Sequence, residues 1–168
     1  MQRNQQGFTL IEITAVLVLM AIISAYVIGR SVNTEQVDLA AQVDRIRNQI
    51  RYTQAAAMKQ YDKVLKVWGL KCDAGANEYW LFEGQNPDDA AKQKKFPGEP
   101  DLKISLTDRG VDSMTAFTLL FDRFGRPYTA YTDETTNVPL PADELTITIS
   151  AAGQTRTIRV SPETGLAQ

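Results

Sequence analysis

Two hydrophobic periods divide this chain. From Phe8 to Gly29 its 22 residues are predominantly apolar, with Glu12 their one charge and Arg30 closing the run. A helix that crosses a bilayer needs about 20 such residues, so the run predicts a span. After the polar stretch Ser31 to Gln36, apolar residues return at Val37, Ala40, Val43, Ile46, Ile50, Ala57, Tyr61 and Val64. Spacings of three, four and seven mark one face of an amphipathic helix. No Pro or Gly interrupts residues 30–68. The pattern therefore predicts a single helix from Phe8 to Lys63.

Beyond this helix the period shortens to two. Val64 to Leu70 and Asn77 to Glu83 are rich in Val, Trp, Tyr and Phe, flank the turn-like Cys72-Asp73-Ala74-Gly75, and read as a hairpin. Residues 84–101 collect Gly84, Asn86, Pro87, Pro97, Gly98 and Pro100 without periodicity, which predicts a solvated surface loop. Its Lys92, Lys94 and Lys95 are opposed by Asp88, Asp89 and Glu99. Further strands are predicted at Leu102 to Leu106, Ala116 to Phe121, Tyr128 to Tyr131, Glu144 to Ile149 and Thr155 to Val160. The last two alternate about a turn at Ala151-Ala152-Gly153, as in a hairpin with one buried and one wet side. Between two earlier strands, Phe121 to Pro127 (FDRFGRP) forms a turn in which Gly125 supplies a permissive backbone position.

Composition narrows the chemistry. There is no histidine, which removes Ser-His-Asp and Cys-His catalysis together with the commonest metal ligand. Cys72 is the one cysteine, so no intrachain disulfide and no cysteine-based zinc site can form; it is expected to be a small buried hydrophobe. Carboxylates at Asp133, Glu134, Asp143 and Glu144, and a calcium-loop reading of Thr132 to Asn137, match no defined spacing and read as polar turns. Arg45, Arg47 and Arg51, with Asp38 and Asp44, read as a solvated helix face. The net charge of −2 gives no general attraction for nucleic acid or anionic lipid. No enzyme, cofactor or metal is expected.

Glu12 calls for an explanation of its own. A carboxylate in a bilayer helix costs roughly 2.5–3.5 kcal/mol on insertion scales and ordinarily has a functional partner. No Lys, Arg or His lies within a helical turn of it. Cleavage after Gly7 would create a cation, the α-amino group of Phe8, placed to pair with Glu12 of a neighbouring subunit. Thr9 to Glu12 also spell a helix capping box. A secretory signal peptide fits less well, because the apolar run is long and Ser24-Ala25-Tyr26 is a poor cleavage site.

The string GFTLIEI, behind a short polar leader carrying Arg3, resembles the prepilin processing site of type IV pilins and type II secretion pseudopilins. The resemblance implies cleavage between Gly7 and Phe8 by a membrane aspartyl prepilin peptidase and N-methylation of Phe8. It also implies packing of the apolar helices into a filament core, with Thr9 and Glu12 setting subunit register. Loss of the leader leaves 17 basic against 20 acidic residues, a net −3. Many such pilins close a C-terminal loop with a disulfide, which this chain cannot, and this shifts weight from fibre-forming major pilins toward pseudopilins and minor pilin-like subunits. The presence of Glu12 argues against the tip subunit, which in that family lacks it.

Further along, FDRFGRP, LTITIS, AAG and TRTIRVSPETG resemble the C-terminal half of the H-type minor pseudopilins, which include FimT-like minor pilins. That resemblance implies an α+β fold: a long N-terminal helix, membrane-spanning in its first half, packed on a C-terminal antiparallel β-sandwich. Residues 1–7 are then the leader, 8–30 the transmembrane and filament-core helix, 31–63 its amphipathic continuation, and 64–168 the periplasmic domain. The implied function is that of a minor pseudopilin in a type II secretion pseudopilus, anchored in the inner membrane. Its partners are other pseudopilins or pilins, prepilin peptidase and the inner-membrane assembly platform. The alternative is a minor type IV pilin for pilus assembly or DNA uptake. In that alternative Arg156 and Arg159, expected to project to one side of the last strand, would contact DNA.

Overall fold

The computed structural model describes residues 9–59 and 67–168, and their side chains except at 27–37. The chain divides into two compact units, Met1–Val37 and Asp38–Gln168. Helix α1 (Leu10–Met58) begins in the first and ends in the second. The expected helix ends at Phe8 and Lys63 lie outside the described residues.

In the first unit the described side chains from Leu10 to Tyr26 are all exposed, and Leu10 reaches 82%. At 1.5 Å per residue that stretch rises about 25 Å, short of a hydrocarbon core of about 30 Å. Among the described residues no helix is long and apolar enough to cross a membrane. The expected span over 8–30 extends past both ends of this stretch.

The second unit is built on the other period of α1. Leu39, Val43, Ile46, Ile50 and Ala57 are buried on one stripe, and Gln49 and Thr53 lie buried among them. Thr53 meets its hydrogen-bond requirement locally, its hydroxyl donating to the Gln49 carbonyl at 2.8 Å. Against this stripe stand two antiparallel sheets, the strands being β1 (Trp68–Asp73), β2 (Glu78–Glu83), β3 (Gln93–Lys94), β4 (Lys103–Ser105), β5 (Ser113–Met114), β6 (Phe117–Phe121), β7 (Pro127–Tyr131), β8 (Asn137–Pro139), β9 (Leu145–Ala151) and β10 (Gln154–Val160). The larger sheet runs β3-β2-β1-β6-β7-β8, with β4 also on β2; the smaller runs β10-β9-β5. Leu70, Leu81 and Leu119 from the first sheet and Ile147, Ile149 and Ile158 from the second share one core with Ile46 and Ile50 of α1. The α+β fold class is therefore as the sequence predicts.

The large sheet also carries a second apolar layer on its far face: Val67, Trp80, Phe82, Leu120, Tyr128 and Tyr131. Gly69 makes it possible. A Cβ there would come within 2.3 Å of the Phe82 ring, so the ring lies directly over backbone. The strap that follows β2 covers this layer: Trp80 donates from Nε1 to the Pro87 carbonyl at 2.7 Å, and Lys71 pairs with Asp88 at 2.6 Å.

Two expectations are corrected. Residues 84–101 are more than a solvated loop, since β3 pairs with β2 there and Phe96 and Glu99 are buried. Clustered Pro and Gly signalled the turns correctly, but a two-residue strand has no readable period. Arg45, Arg47 and Arg51 are not simply a solvated face. Arg45 pairs with Glu99 at 2.8 Å, Arg51 donates to the Ala167 carbonyl at 3.0 Å, and Arg47 pairs with Asp44. Short strands β5 and β8 also lie outside the predicted set.

The β9–β10 hairpin closes with two residues, Ala152 and Gly153, both at positive φ (49° and 72°), as in a type I′ turn. Alanine is strained there. Ala152→Gly is expected to stabilise the fold by about 0.5–1 kcal/mol, measurable as a raised urea midpoint.

Cys72 is buried beneath this architecture. Desolvation first, and the Asp73 charge second, push its thiol from 9.0 to about 12. Tyr79 rises from 10.0 to about 12 for the same first reason, with Glu99 adding. Both groups are neutral in the fold and ionise earlier when unfolded. Stability is then full below pH 9 and falls as pH climbs toward 12. Cys72→Ala should flatten the start of that fall, recovering about 2 kcal/mol of the alkaline loss by pH 10.5, read from urea melts at pH 8 and 10.5.

Candidate functional site

The processing residues Gly7 and Phe8 lie outside the described residues. Thr9 and Glu12, just beyond, open α1. The Thr9 carbonyl accepts from the N–H of Glu12 at 3.1 Å and of Ile13 at 3.3 Å. The turn is thus closed by backbone, not by the side-chain exchange of a capping box. Glu12, Ile13, Val16 and Leu17 line a shallow apolar hollow of about 300 Å³ along one flank of the helix. Among the described residues no cation reaches the Glu12 carboxylate. An acid at the rim of an apolar groove is a half-built ion pair, stable in lipid only once a cation is brought to it.

In the second unit the FDRFGRP turn is organised from beneath by buried Asp122. Its Oδ1 accepts from the N–H of Phe124 at 2.8 Å and of Arg126 at 2.9 Å, and its Oδ2 accepts from the Tyr128 hydroxyl at 3.1 Å. Gly125 sits at φ 77° in the left-handed region. The turn is tied to α1 by Gln54, whose Nε2 donates to the Gly125 carbonyl at 2.9 Å and to the Thr164 carbonyl at 2.6 Å. One helix amide thereby joins FDRFGRP to SPETG, which lie far apart in sequence. Gly165 completes the junction, because a Cβ there would meet the Phe121 ring at 2.6 Å.

A second polar cluster is buried higher on the same helix. Glu99, its side chain only 3% exposed, accepts from Arg45 at 2.8 Å, from Arg109 at 2.5 Å and from Gln49 at 3.4 Å. Tyr79 donates to Gln49 at 2.8 Å. Both carboxylate oxygens are occupied, so the group serves as a structural clasp. Neither Glu99 nor Gln54 is legible in the sequence, since a buried Glu between Gly98 and Pro100 has the same local signature as a solvated one. Glu99→Ala should cost about 3 kcal/mol in urea unfolding, because Arg45 and Arg109 would be left without their common partner.

The remaining sites separate. Arg156 and Arg159 both lie on β10, three residues apart, and strand alternation puts them on opposite faces. Arg156 shares parity with buried Ile158 and Val160 and sits opposite Ile149; Arg159 sits opposite Thr146 on the outer face. The expectation that they point to one side is corrected, and with it the notion of a paired phosphate contact. At 132–137 Asp133 folds its carboxylate into its own turn, accepting from the Thr135 hydroxyl at 2.7 Å and N–H at 2.8 Å and from the Thr136 N–H at 2.5 Å. The Thr135 hydroxyl first, then those N–H groups, hold its carboxyl below the usual range.

Compared with known families, residues 2–28 match the prokaryotic N-terminal methylation motif. No curated protein and no solved structure matches the chain. The matched segment contains Gly7, Phe8, Thr9 and Glu12. It is a type IV pilin-like prepilin signal, indicating processing by prepilin peptidase and assembly with other pilins.

Proposed function

We propose that this chain is a minor pseudopilin, a structural subunit of a type II secretion pseudopilus and not an enzyme. The observation that carries this reading is the methylation motif at 2–28, set at the head of a helix whose described side chains from Leu10 to Tyr26 are all exposed. Residues 1–7 are the leader, removed by prepilin peptidase. Phe8 is the new N-terminus and is N-methylated. Residues 8–30 anchor the chain once in the inner membrane, 31–63 carry the helix onward, and 64–168 form the periplasmic domain.

Chemistry explains why the cut matters. Cleavage converts a neutral Gly7–Phe8 amide into an ammonium at the edge of the apolar run. A neighbour's Glu12 then gains the cation that its own chain does not offer among the described residues. Pairing across subunits removes two isolated charges from an apolar setting at once, and it is satisfied at one axial offset only. Glu12 thereby sets register, and Thr9 holds the first turn through its carbonyl.

The test is the mature N-terminus. With prepilin peptidase co-expressed, mass spectrometry should find a product beginning at N-methylated Phe8, and Gly7→Asp should leave the full leader in place. A chain cut after the apolar run, or not cut at all, would overturn the reading. Glu12→Leu should still be cleaved but should fail to enter sheared filaments, as judged by immunoblot.

A further inference from the structure

The second unit presents two surfaces of opposite charge at different levels of α1. At the Met58 level stands Phe124, at 59% exposure the most exposed large apolar side chain among this unit's described residues. The guanidiniums of Arg123 and Arg126 lie 4.8 and 5.3 Å from its ring centroid. Exposed Met58 lies against Gly125, the residue after Phe124, and exposed Leu166 follows Gly165 at the same junction. Aromatic, Met and Arg side chains together are the composition of protein interface centres. The ring is also preorganised, since buried Asp122 fixes the backbone on both sides of it, and little ordering entropy is left to lose on docking.

At the Arg45 level lies a cavity of about 300 Å³ lined by Asp101, Asp108, Ile104 and Lys103. Its cations are already engaged, Lys103 with Glu78 and Arg109 with Glu99. Asp101 and Asp108 are exposed and have no cation partner among the described residues. The cavity is therefore an acidic receptor, while the Phe124 surface is a cationic plug. Arg126 forms no ion pair among the described residues, and Arg123 has only the surface carboxylate of Glu134. Arg45 and Met58 are separated by about 20 Å along the helix, so one chain cannot close this contact on itself.

We propose that Arg123, Phe124 and Arg126 dock on the Asp101–Asp108 cavity of a second copy of this chain, head to tail. The two surfaces differ, so the contact is heterologous and leaves each copy with an unused face of either kind. Nucleic acid is the poorer occupant, because the chain carries net negative charge and offers few phosphate contacts here. The contact rests on the filament reading above and adds to it a globular interface with named sides.

The test uses full-length chain co-expressed with prepilin peptidase, purified in detergent, with the N-terminus of the same sample checked by mass spectrometry. Sedimentation should show concentration-dependent self-association that weakens with salt. Arg126→Asp and Asp108→Arg should each weaken it at least about tenfold, and the double variant should recover to within about threefold of the parent. Phe124→Ala should weaken it similarly without moving the thermal midpoint, since the ring is exposed. A correctly processed parent that stays monomeric overturns this contact and leaves the function standing. So do single variants that associate like the parent, or a double variant that does not recover. Charge-swap recovery in a chain whose leader is uncut supports the contact and overturns the processing reading instead. Loss of oligonucleotide retention in Arg126→Asp with self-association unchanged would assign the surface to nucleic acid.

Discussion

The second unit depends on one apolar stripe of α1. Leu39, Val43, Ile46, Ile50 and Ala57 form a wall of the one core into which both sheets direct their inward side chains. Strands as short as β4 and β5, with three and two residues, cannot hold a register by their own hydrogen bonds. They are kept in place because Ile104 and Met114 enter a core that the helix completes. The architecture is therefore a helix with two sheets fitted to it, and substitutions on the stripe would reach every strand.

Polar groups decide where on that stripe the loops attach. Apolar burial is tolerant of sliding, but hydrogen bonds to a helix side chain are not. The Glu99 clasp fixes the end of the strap region at Arg45 and Gln49, and Gln54 fixes the Gly125 and Gly165 turns about one turn further on. These two anchor points give the domain its axial polarity. The acidic cavity and the Phe124 surface inherit their levels on the helix from them.

How much of this could be read in advance follows from the length scale of each signal. Period-3.6 burial across α1 and period-2 alternation in β9 and β10 extend over enough residues to be unmistakable, and the strands near 78–83, 117–121 and 127–131 follow from β-branched and aromatic runs. Leu39, not Ala40, heads the described buried stripe, a one-residue shift that spacing alone does not resolve. Buried Glu99 and the twofold use of Gln54 are legible in no local pattern, because both depend on residues more than 40 positions away. The Arg156 and Arg159 error was of another kind: strand parity was available in the sequence and separates residues an odd number apart. At the N-terminus the motif is compact and its chemistry explicit, so the processing residues are named from sequence while their geometry lies beyond the described residues.

Gln54 carries a consequence for how this protein can change. A single side-chain amide, with two hydrogens, serves two turns 39 residues apart, received by the Gly125 carbonyl in one and by the Thr164 carbonyl in the other, and each turn holds a glycine at positive φ, Gly125 and Gly165. Neither turn can drift alone: lengthening one would withdraw a hydrogen-bond partner from the other and bring a new Cβ against Phe121 or Met58. Positions 54, 125 and 165 thus amount to one inherited character written at three places in the chain, and variation that reaches one of them must be answered at the other two.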